Sequence, residues 1–147
     1  MRALYLASVW LHILAAMTWV GGMVTFVAAV MPYFRHRPEA ERAAFLSWFG
    51  PRFESVSWIC LAILVLTGTF NLWIRGVQLS DFSRPEWRAT AFGQLLQWKL
   101  ALVALVTVLS ATHSRTGSGA NARWLGRALL VVGLAIVGVA VSLVRAL

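Results

Sequence analysis

The chain is 147 residues long, 60% hydrophobic and only 12% charged, with a formal net charge of +8. Soluble domains run nearer half apolar and a quarter charged, so these figures exclude a disordered chain and a soluble enzyme of ordinary make-up. The single cysteine, Cys60, excludes a disulfide scaffold. Twelve of the thirteen basic residues are arginines, most of them in short polar stretches between apolar runs. Charge so placed serves headgroup contact and topology, and no nucleic-acid partner is expected. What is left is an all-α integral membrane protein, a four-transmembrane-helix bundle forming one domain over residues 1–147, with the lipid bilayer as its first partner.

Crossing the hydrocarbon takes about 20 apolar residues in a helix, and four stretches are long enough: 4–31, 55–73, 90–112 and 124–146. The first is longer than the core of a signal peptide and carries His12 and Trp19, so it reads as a retained helix. Pro32 closes it. The segment Pro38–Phe49 reads as a short helix lying in the interface, with Pro51 separating it from the second span. Ser80–Trp87 reads as an ordered turn before the third span. The run Thr116-Gly117-Ser118-Gly119 breaks the third from the fourth. In the fourth, Gly126, Gly133 and Gly138 suggest a packing face.

Four spans put both termini on one side, here called side A, with Arg2, Arg75, Arg84, Arg88 and Arg145. Side B carries Arg35, Arg37, Arg42, Arg52, Arg115, Arg123 and Arg127. The positive-inside rule then places loops 32–54 and 113–123 in the cytoplasm, in a multi-pass protein of the inner (plasma) membrane.

Polar groups are costly in hydrocarbon, so their depth is informative. His12 lies nine residues in from side A, roughly 13 Å at the helical rise, and Lys99 enters to the same depth in the third span. Thr67 lies eight residues from the side-A end of the second span, with Thr69, Asn71, Gln94, Gln97 and Ser142 slightly shallower. A site in the side-A half, centred on His12, is expected. His12 shares its stripe with Ser8, Ala15, Ala16, Trp19, Gly22, Met23 and Phe26, whose small members let a neighbouring helix or a flat ligand approach. Neutral imidazole ligates haem iron and copper alike.

The leading expectation is therefore haem b, with His12 as axial ligand, Trp19, Thr67 and Asn71 lining the site, and the propionates rising toward Arg2, Arg75 or Arg88 at side A. His113 sits about 21 Å further along the third helix than Lys99 and cannot share one iron with His12. The alternative cofactor is copper, with Met23 and Cys60 as soft donors beside His12. An accessory subunit with no cofactor is the third reading. A second copy of the chain or a membrane redox partner is the expected protein partner.

The run His12-Ile-Leu-Ala-Ala-Met-Thr-Trp-Val-Gly-Gly-Met23 resembles the opening helix of the copper resistance D (CopD) domain family. Phe49-Gly-Pro-Arg-Phe-Glu54 with Leu64–Asn71, and Trp98-Lys-Leu-Ala-Leu102, resemble its second and third helices. The pairing of a first-helix His with a third-helix Lys is also similar to the HemJ-type membrane protoporphyrinogen oxidase family, although Gly21-Gly22 leans toward CopD. The HemJ-type resemblance implies haem on His12 and a catalytic role for Lys99 in an oxidoreductase; the CopD resemblance implies copper homeostasis.

Overall fold

The computed structural model describes residues 1–116 and 120–146, and no strand occurs among them. The first long helix, α1 (Arg2–Thr25), runs into a single π turn at Phe26–Val30, then α2 (Met31–Tyr33) and a 3₁₀ turn at Phe34–His36. Pro32 explains the π turn. A proline ring clashes with the carbonyl four residues back and donates no N–H. One wider turn just before it moves that carbonyl aside and lets the helix continue, with the Met31 N–H bonded to Phe26 O.

The next helix, α3 (Glu39–Ile74), is 36 residues long and holds Pro51 in its interior. This corrects the expectation of a separate interfacial helix over Pro38–Phe49: the two segments are one helix. Two features carry it through the proline. Phe45, Phe49 and Phe53, spaced four apart on one face, stack with centroids 5.2 and 5.4 Å apart across Pro51. Phe49 in turn stacks on Phe26 at 5.4 Å, so the ladder is anchored to the π turn. The Arg52 guanidinium donates to Trp48 O at 2.8 Å and lies over the Trp48 ring. Glu39 and Glu41 in the first turn favour the helix dipole and pair with Arg42 and Arg37.

The chain folds as two compact units, Met1–Arg75 and Gly76–Leu147. In the first, α1 packs antiparallel on α3, as the contacts His12–Thr67 and Gly22–Phe53 require. Ala15, Trp19 and Met23 meet Cys60, Leu61 and Thr67 in the seam, and all are buried. At the side-A end the Arg75 guanidinium donates twice to the Tyr5 hydroxyl, at 3.0 and 3.2 Å. Gly76 follows with φ +77°, a conformation open to glycine, and ends the helix.

In the second unit a 3₁₀ turn at Leu79–Ser83 leads to α4 (Pro85–Ala89), α5 (Ala91–Arg115) and α6 (Ala120–Arg145). Asp81 caps the turn at the Gln78 N–H (2.8 Å) and pairs with Arg84 (3.1 Å), so Ser80–Trp87 is ordered as expected. Thr90 joins α4 to α5, its hydroxyl donating to Trp87 O and accepting from the Gly93 N–H. Helices α5 and α6 pack together, with Leu96, Val106, Leu129 and Leu143 buried. Of the three glycines in α6, Gly126 faces the His113 ring and Gly133 is buried, whereas a Cβ at Gly138 would meet nothing within 4 Å among the described residues. The glycine-rich break at Gly117-Ser118-Gly119 lies outside the described residues.

Four helical stretches are long and apolar enough to cross a membrane: Arg2–His36, Glu39–Ile74, Ala91–Arg115 and Asn121–Arg145. Each overlaps one of the four expected spans. The second is longer than expected because α3 runs on toward side B.

Candidate functional site

The site begins with one hydrogen bond across the α1–α3 seam. His12 Nδ1 lies 2.7 Å from Thr67 Oγ1, and Thr67 Oγ1 lies 2.6 Å from the carbonyl of Ile63. Each of these short contacts needs a proton. A carbonyl oxygen can only accept, so the threonine hydroxyl spends its one proton on Ile63 O. The proton between His12 and Thr67 therefore belongs to Nδ1. This assigns the tautomer: Nδ1–H donates to Thr67, and the lone pair sits on Nε2. An acceptor that holds Nδ1–H from behind the ring is the usual means of aiming a metal-ligating histidine.

Gly68 lies under the same ring. A methyl group there would come within 3.4 Å of His12 Cε1, so glycine lets the imidazole lie close to the α3 backbone. Ser8, one turn before His12, reaches Thr67 O at 3.5 Å. Asn71 is one turn beyond Thr67 on α3, and its Oδ1 is buried with no hydrogen-bond partner among the described residues.

The soft donors lie on the same seam. Cys60 is two turns from Thr67 on α3 and is 5% exposed; Met23 shares the α1 face with Trp19 and is 8% exposed. In the antiparallel register His12, Cys60 and Met23 follow one another along the seam toward side B. Trp19, on the same α1 face, is 4% exposed. Among the described residues no three His, Cys, Asp or Glu side chains gather into one metal centre. The donors are arranged in series.

Of the residues singled out from the sequence, His12, Trp19, Thr67 and Asn71 are thus all in the first unit, with His12 and Thr67 in direct contact. Lys99 on α5 and Arg88 on α4 belong to the second unit. Thr69 and Ser142, at similar depth, bond back to Val65 O and Gly138 O of their own helices. Ser8 was placed on the His12 stripe from the sequence, and it reaches the Thr67 carbonyl. Gly68 was not singled out, since a glycine in a membrane helix carries no signal of this kind until the facing helix is in register.

No solved structure matches this chain. A protein of Aquifex aeolicus (strain VF5), described as an "Uncharacterized protein", is 28% identical over 147 aligned residues, 93% of this chain and 91% of its own length. The family model for copper resistance protein D (CopD) matches residues 47–143, which take in most of α3 and almost all of the second unit. With a match over more than half its length, the chain belongs to the copper resistance D family, a family of membrane proteins.

Proposed function

We propose that this protein handles copper in the membrane, with Cu(I) as its cargo and His12 as the first buried donor from side A. The observation that carries the reading is the His12–Thr67 hydrogen bond, which holds the imidazole in a fixed orientation in the α1–α3 seam. Family membership supports copper over haem b. So does the donor chemistry, since thioether and thiol select Cu(I), and Met23 and Cys60 lie on the seam that His12 opens. A cargo ion needs sites strong enough to take it and weak enough to release it. Donors in series meet that condition better than a closed centre would. Trp19, buried on the same α1 face, adds apolar surface to the seam, and the side-chain carbonyl oxygen of Asn71 is a further oxygen donor one turn from Thr67.

The test is metal analysis of the protein purified in detergent and loaded with Cu(I) under reducing conditions. Wild type retains copper, His12→Ala loses it, and Met23→Leu with Cys60→Ala weakens retention. Unchanged retention in the double variant removes those two residues from the path. The same samples are read optically. A Soret band that disappears in His12→Ala assigns the site to haem b, with Arg88 and Lys99 then the residues to probe for propionate contact and catalysis.

A further inference from the structure

A second site, independent of His12, lies at the start of the second unit. Between α4 and the first turns of α5 the chain leaves an open cleft of about 570 Å³, lined by Pro85, Arg88, Gln94, Gln97, Trp98 and Ala101. Its shape is built into the local sequence. Thr90 bonds α4 to α5 at Trp87 O and the Gly93 N–H, and Gly93 lets the Trp87 carbonyl come closer than any side chain would allow. Trp87 is wedged between Phe82 and Phe92, at 5.0 and 6.3 Å.

The lining is chemically mixed in a particular way. Arg88 is a cation in none of the ion pairs found among the described residues, although Glu86 lies two positions away on the same short helix. Gln97 spends one amide hydrogen on Gly93 O (3.1 Å) and Gln94 one on Ala89 O (3.5 Å). Each amide nitrogen has a second hydrogen to give. Trp98 is 66% exposed and forms an apolar wall beside them. The spanning helix starts at Ala91, so the cleft sits where headgroups meet acyl chains.

We propose that this cleft binds the phosphate of an anionic phospholipid. The guanidinium of Arg88 holds the phosphate oxygens, the amides of Gln94 and Gln97 complete the hydrogen bonding, and Trp98 lies along the glycerol and upper acyl chain. The helix N-terminus plays no part, since Thr90 already caps it.

The experiment is native mass spectrometry of the full-length protein, delipidated in detergent and titrated with phosphatidylglycerol, phosphatidylcholine or inorganic phosphate. Phosphatidylglycerol is expected to bind in preference to phosphatidylcholine. Arg88→Gln should weaken that binding about tenfold, the loss of one bidentate charged contact. Arg145→Gln, which removes the same charge elsewhere, should leave it unchanged. Equal binding of both lipids, equal loss in the two variants, or phosphate binding as tightly as the lipid would each overturn the assignment.

Discussion

The pairing of His12 with Thr67 shows how much a single hydroxyl can decide. Replacing Thr67 by valine keeps the shape and removes the acceptor for Nδ1–H. The imidazole is then free to change tautomer and turn. Losing the partner that orients a ligating imidazole costs roughly 10–100-fold in metal affinity. Thr67→Val should therefore weaken Cu(I) binding by at least about tenfold in a competition titration against a chromophoric chelator, and Thr67→Ser should restore most of it. A merely structural role for the threonine would give the two variants the same affinity. Both residues were legible from the sequence, because polar groups at matched depth in hydrocarbon call for one another. Their contact was not legible, since depth says nothing about which way each helix is turned.

At the scale of the element, prolines and glycines carry the lessons. Pro32 and Pro51 read alike in the sequence, as breakers, yet both lie within continuous helix. The first is accommodated by the π turn, the second by the Phe45–Phe49–Phe53 stack that spans it and docks on Phe26. A breaker signal is local, whereas the stacking that overrides it needs a residue from another helix. Gly93 offers a sharper test. In an exposed helix, Gly→Ala gains up to about 1 kcal/mol of helix propensity. At Gly93 a Cβ would collide with the backbone carbonyl of Trp87, which cannot rotate away. Gly93→Ala should instead lose about 1–3 kcal/mol, seen as a lower Tm in detergent and faster hydrogen exchange in 85–92. A rise in Tm would mean that α4 does not hold this close approach.

For the whole molecule, the hydropathy pattern and the family both make the chain a multi-pass membrane protein. Membranes from expressing cells, washed with alkaline carbonate, should retain it in the pellet with no soluble fraction. Release into the supernatant would contradict all four spans. Fold class and the number of long apolar helices followed from the sequence because burying some 20 apolar residues in lipid outweighs every local preference, leaving helix as the form that satisfies the backbone. The same cost of polarity in hydrocarbon picked out His12, Thr67 and Asn71. Tertiary structure decided what hydropathy cannot encode. It set the register that lays His12 on Gly68 and gives its Nδ1 proton to Thr67, and the continuity of α3 through Pro51. Each of these depends on the rotation of one helix against another element, and that is settled by side-chain contacts between residues far apart in the chain.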